Sequence, residues 1–156
     1  FAINGGVTID VQVRPISADS MMVTIAQQVE RLKVDPAGRI LGAFRSITRE
    51  IASERGVRIA KWLGDGCMIV SVDQTACIAF ALELEHRASE VCAPLSLRVG
   101  IATGHALLFE GDDYIGSAVN MAARLCDYAQ GFDVLMPTMH LDRLPEGVIA
   151  EESEPV

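Results

Sequence analysis

At 156 residues with a formal net charge of −8 and half of its residues hydrophobic, the chain has room for one compact core and little beyond it. The acidic balance excludes a broad nucleic-acid or anionic-membrane surface, which needs clustered Lys and Arg, but leaves room for a nucleotide held by bound metal and a few local cations. No apolar run approaches the ~18 residues that span a bilayer, and no charged leader with a cleavage site is present. Because the first residue is Phe1, sensor or membrane parts are allowed for elsewhere on a longer chain, with this segment cytoplasmic and free of membrane contact. Cys67, Cys77, Cys92 and Cys126 are scattered, with no CxxC pair and no His at ligand spacing, and read as reduced thiols.

In chain order, residues 7–16 alternate Val7, Ile9, Val11 and Val13 with polar residues and predict a first strand. A helix is expected over 20–32. Asp35 and Pro36 then read as the N-cap and first position of a second helix, with Ile40, Leu41, Phe44, Ile47 and Ile51 on its core face and Gly56 at its end. Residues 57–63 and 67–72 form two β-rich runs about a tight turn at Gly64-Asp65-Gly66. A helix over 74–91 follows, then a strand over 95–103 broken at Gly104 and a short strand over 105–109. Gly116 precedes a helix reaching Tyr128, 132–136 is a short strand, and Pro137 starts a short helix toward Leu144. The acidic tail from Glu151 to Val156 is expected to fray. This order is a ferredoxin-like, split βαβ pattern of the α+β class: a mostly antiparallel sheet with helices on one face. One domain over 1–156, with its core at about 7–145, accounts for the chain.

Three groups of polar residues stand out. Asp65 sits in a glycine-flanked hairpin, where glycine lets backbone approach a ligand, although an Asp-Gly turn of type I′ has the same appearance. Asp19 follows the first strand, which lies beside the hairpin in a split βαβ sheet. The two carboxylates could therefore share Mg²⁺ or Mn²⁺ at one sheet edge, or Asp19 could simply cap a helix. Asn120 and Arg124 are four apart and project from one helix face, suited to a ribose and a phosphoryl oxygen, or to plain solvation.

The combination resembles the class III adenylate and guanylate cyclase catalytic domain from about Val11 to Leu144. The match is carried by KWLGDG (61–66), LRVGIATG (97–104) and DDYIGSAVNMAARL (112–125). The resemblance implies an adenylate cyclase that converts ATP to 3′,5′-cyclic AMP and pyrophosphate. It implies two metal ions per site, Mg²⁺ or Mn²⁺, on Asp19 and Asp65 with help from the Ser20 carbonyl. Lys61 and Asp113 would read the base, Asn120 orient the ribose and Arg124 stabilise the transition state. Arg98 and Thr24 would contact the triphosphate. It further implies a homodimer with two composite sites, the aspartates coming from one protomer and the base-reading, Asn and Arg residues from the other. Adenine presents an acceptor at N1 and a donor at its 6-amino group, matching Lys61 and Asp113; guanine reverses both.

Two departures from the family pattern are expected to matter. Met22 and Val23 replace a glycine and a phenylalanine in the phosphate-wrapping turn, which favours as an alternative a weak or inactive nucleotide-binding or dimerisation module. The connection from Gly104 to Asp113 is short, which predicts a reduced dimerisation arm. A guanylate cyclase is the third reading. His86, His105 and His140 carry no motif.

Overall fold

The computed structural model describes residues 2–15, 36–109 and 113–152. Among the described residues there are six strands: β1 (Ala2–Pro15), β2 (Arg58–Leu63), β3 (Gly66–Ser71), β4 (Leu95–Phe109), β5 (Asp113–Ile115) and β6 (Val134–Leu135). They form one sheet in the order β2-β3-β1-β4-β5, antiparallel throughout except that β6 pairs with β4 in parallel. The expected α+β class and antiparallel sheet are present. β1 begins earlier than expected, and the helix expected over 20–32 lies outside the described residues, as do residues 153–156 of the tail.

Helix α1 (Pro36–Arg55) begins at the proline whose fixed φ and missing N–H suit a first turn, and it ends at Gly56, whose φ of +67° suits a C-terminal cap. Helix α2 (Gln74–Val91) is capped by Asp73, whose carboxylate accepts from the Ala76 N–H at 3.1 Å. Both helices pack on one face of the sheet. Phe44 and Ile51 of α1 and Phe80 and Leu84 of α2 are wholly buried with Ile69, Leu97, Val99 and Ile101. At the surface, Arg55–Glu83 (2.6 Å) and Arg87–Glu50 (2.9 Å) link the two helices. Pairs this exposed are screened by solvent and add little, so the apolar layer dominates.

The third described helix, α3 (Ser117–Tyr128), lies on the opposite face, which refines the expectation of helices on one face. Gly100, Ala102 and Gly104 alternate with the core residues of β4 and so point toward α3, where Ala102 clusters with Ala118 and Ala122. A Cβ at Gly100 would fall 2.0 Å from the Ala122 carbonyl oxygen, so only glycine permits this approach. The break expected at Gly104 does not occur: β4 runs unbroken through it, and the absent side chain serves close packing, since a Cβ there would meet the Ala118 Cβ at 3.1 Å.

The connection after Gly104 is also more structured than expected, because β4 and β5 pair as a hairpin with Phe109 opposite Asp113. Ala106 and Tyr114 of this hairpin are buried against Met68 and Val70 on the second face of β3. Much of that face is thus covered from within the chain. Toward the C-terminus, the helix expected from Pro137 is only a 3-10 turn, Thr138–His140. Gln74 takes the backbone groups a helix would satisfy internally: its amide donates to the His140 carbonyl at 2.7 Å and accepts from the Asp142 N–H at 2.9 Å.

The four cysteines are buried and form no disulfide with one another. Burial, with a smaller contribution from Asp73, pushes the Cys77 thiol up to about 12, which leaves almost no thiolate at neutral pH. Iodoacetamide should therefore leave the native protein unmodified under neutral conditions and add to all four cysteines after denaturation, as counted by mass spectrometry. An adduct on native Cys77 would contradict this packing.

Candidate active site

The β2–β3 hairpin closes on Gly64 and Asp65, with Leu63 paired to Gly66. Gly64 has φ +63°, and Asp65 does not share the left-handed conformation. This is the requirement of a turn with glycine at its first central position, rather than of the type I′ Asp-Gly turn that the sequence also allows. Asp65 is exposed at the tip, and no described residue bonds its carboxylate. β1 runs antiparallel to β3 with Gln12 opposite Gly66, so the C-terminal end of β1 emerges beside this turn. Asp19 comes four residues after Pro15; Asp19, Ser20, Met22, Val23 and Thr24 lie outside the described residues. The described residues contain no group of three or more His, Cys, Asp or Glu able to hold a metal. Asp65 by itself is a hard oxygen donor suited to Mg²⁺ or Mn²⁺, which complete their shells with further carboxylates, phosphates and water.

Lys61 and Asp113, 52 residues apart in sequence, meet: Lys61 Nζ donates to Asp113 Oδ1 at 2.5 Å. A β-bulge makes the contact possible. Ile59 lies opposite Ile69 and faces the helices, yet Lys61 lies opposite Met68 and Trp62 opposite Cys67, with Ala60 as the extra residue. Strict alternation would have turned Lys61 toward the helices. The bulge instead turns it to the face where the β4–β5 hairpin folds over, and it sends Trp62 to the helix side, edge-on to Phe44 with ring centroids 6.4 Å apart. Both charged side chains remain accessible, at 42% and 49% exposure, so a ligand can still reach them.

α3 buries Ala118, Ala122, Leu125 and Cys126 and leaves Asn120 and Arg124 exposed one turn apart. Its start, Ser117, is four residues after Asp113, so the Lys61–Asp113 pair adjoins the helix that carries them. Arg98 is placed at the other end of α3, where its Nη1 donates to the Asp127 and Ala129 carbonyls at 3.3 and 3.1 Å. A cation there satisfies orphan carbonyls and complements the helix dipole. Replacing Arg98 by Ala should therefore lower unfolding free energy by about 1–3 kcal/mol, read from chemical denaturation; an unchanged midpoint would contradict the capping role.

The motifs assign nothing to Arg45. It reaches the candidate hairpin from α1, donating from Nη2 to the Gly64 carbonyl at 3.2 Å, with its guanidinium carbon 5.2 Å from the centre of the Trp62 ring. The available signal in the sequence is Arg45 and Arg49 spaced four apart beside core residue Phe44 on one helix.

No family model matches the chain. Among curated proteins, it is 32% identical over 107 residues to an uncharacterized protein of Mycobacterium tuberculosis, covering 69% of this chain and 28% of that protein. It is 32% identical over 124 residues to an adenylate cyclase of Streptomyces coelicolor, covering 79% of this chain and 32% of that protein. The chain thus spans about a third of the length of these relatives. Among solved structures, an adenylyl cyclase from P. aeruginosa superposes with a TM-score of 0.65 at 22% identity, over 90% of this chain and 80% of that one. A guanylate cyclase domain from Catenaria anguillulae, solved with GTP, gives 0.68 at 14% identity, over 87% of this chain and 79% of that one. The fold is therefore shared with both adenylyl and guanylyl cyclases. With its three motifs and its sequence relatives, this makes the chain a member of the class III nucleotidyl cyclase domain family.

Proposed function

We propose that the chain is an adenylate cyclase domain that converts ATP to 3′,5′-cyclic AMP and pyrophosphate at a homodimer interface. The observation that carries this reading is the Lys61–Asp113 pair, a donor and an acceptor held together and accessible beside α3. On the adenine edge, Lys61 donates to N1 and Asp113 accepts from the 6-amino group. Against guanine both groups are mispaired, at ~1–3 kcal/mol for each unsatisfied partner, which disfavours GTP.

Asp65 and Asp19, with the Ser20 carbonyl, hold two Mg²⁺ or Mn²⁺ ions. When bound, these ions lower the pKa of the ribose 3′-hydroxyl and neutralise phosphate charge. Asn120 of the other protomer orients the ribose so that the 3′-oxygen faces the α-phosphorus. Arg124 donates to the α-phosphoryl oxygens as charge gathers there; the 3′-oxygen gives its proton to solvent water and bonds to the α-phosphorus, while the bond from that phosphorus to the bridging oxygen breaks and releases pyrophosphate. Thr24 contacts the triphosphate, and Arg98 does so in addition to its hold on α3. The exposed, partly apolar face of the β4–β5 hairpin, with Leu107, Phe109 and Ile115, supports pairing of two copies.

The test is product formation from ATP and from GTP, each with Mg²⁺ or Mn²⁺, by the parent and by Asp65→Ala. Cyclic AMP from the parent, little cyclic GMP, and loss of product in Asp65→Ala are expected. Tight ATP binding with no turnover would favour the inactive module suggested by Met22 and Val23. Cyclic GMP as the main product would overturn the base assignment.

A further inference from the structure

We infer that Arg45 is a positioning residue for Asp65, and that through the Gly64 carbonyl it sets the affinity of the hairpin for divalent cations. The inference rests on the proposed function, which makes Asp65 a metal ligand. The tip of the hairpin is exposed from Leu63 to Asp65, so the β-ladder alone leaves its last peptide units open to solvent. Arg45 supplies a tie from the core side. Its Nη2 bonds the Gly64 carbonyl, the group belonging to the same peptide plane as the Asp65 N–H. Fixing that plane restricts the direction in which Asp65 projects its Cβ.

The tie is itself braced. The Arg45 guanidinium lies over Trp62, and Arg49, one turn later, lies over the same ring at 5.1 Å while its Nη1 donates to the Arg45 carbonyl at 3.4 Å. Trp62 is edge-on to the wholly buried Phe44, so the path from core to turn runs Phe44, Trp62, Arg45, Gly64. It exists because the Ala60 bulge turned Trp62 toward α1. A planar guanidinium can stack on an indole and donate from its edge at once, whereas an ammonium group cannot do both. Groups that orient a metal ligand from behind typically change metal affinity ~10–100-fold when removed.

The experiment compares the parent with Arg45→Ala, Arg45→Lys, Arg49→Ala and Asp65→Ala. Mn²⁺ binding is read by electron paramagnetic resonance, and amide hydrogen exchange is followed across residues 63–67. Arg45→Ala should raise the Mn²⁺ half-saturation about tenfold and speed exchange at the turn. Arg45→Lys should fall between it and the parent, and Arg49→Ala should have a smaller effect than Arg45→Ala because one brace is lost but the bond to Gly64 remains. With Mn²⁺ saturating, the KM for ATP should be unchanged. If Mn²⁺ binding depends on Asp65 but is unaltered by Arg45→Ala, the inference alone is overturned. Unchanged exchange at the turn also overturns it. If the parent binds no Mn²⁺, or binds it independently of Asp65, the proposed metal role of Asp65 fails, and the inference fails with it.

Discussion

Replacing Arg124 by Ala should lower kcat by about 10²–10³-fold, the usual cost of removing one preorganised donor aimed at developing charge, while leaving the fold intact. Arg124 projects from the exposed side of α3, and no described residue bonds its guanidinium, so its removal opens no cavity and strands no partner. The packing seam of Ala118, Ala122, Leu125 and Cys126 lies on the opposite side of the helix. Circular dichroism and thermal midpoints should match the parent. Arg124→Lys should recover only part of the rate, because an ammonium group lacks the two-pronged geometry that suits a phosphoryl group. Near-parental turnover by the alanine variant would remove Arg124 from the reacting phosphate.

Gly100→Ala should be the most damaging single-methyl change in the described fold, lowering unfolding free energy by about 3 kcal/mol or more. The new Cβ would stand 2.0 Å from the Ala122 carbonyl oxygen and 2.5 Å from the Cys126 backbone nitrogen. Both are backbone atoms, so relief requires moving α3 itself rather than rotating a side chain. The same shift would displace Asn120 and Arg124, and activity should fall with stability. Gly42→Ala is the control. That glycine lies within α1, where an added Cβ would meet nothing within 4 Å, and helix propensity alone should stabilise the protein by about 0.5–1 kcal/mol. Denaturant midpoints give both values, and equal midpoints for the two variants would contradict the packing of α3 on β4.

The contrast between these glycines marks what is legible in the sequence. Local signals place α1 and α2 well: Pro36 and Gly56 bound the first helix and apolar spacing names its buried face, while the second spans the expected 74–91, with its Asp73 cap seen only in the fold. Features set by tertiary packing are not legible. Gly104 has the look of a strand breaker, yet it lies inside a continuous β4 because Ala118 needs its empty side. The Ala60 bulge has no local signature, although it determines that Lys61 faces Asp113 and Trp62 faces α1. The pairing of Lys61 with Asp113 is expected only through family resemblance, since no spacing rule links positions 52 residues apart. Arg98 shows the reverse situation: LRVGIATG suggests a phosphate contact, and the fold adds a hold on the end of α3 that no motif could reveal.

The central claim is that each site joins the carboxylates of one protomer to the Asn120–Arg124 face of its twin, and complementation tests it most directly. Asp65→Ala and Arg124→Ala should each be nearly inactive alone. Mixed in equal amounts and allowed to exchange, half of the dimers carry one copy of each variant, and each of these has one intact site of two. Cyclic AMP formation should therefore recover to about a quarter of the parental rate. Mixtures no more active than the separate variants, with exchange of subunits verified, would contradict a shared site.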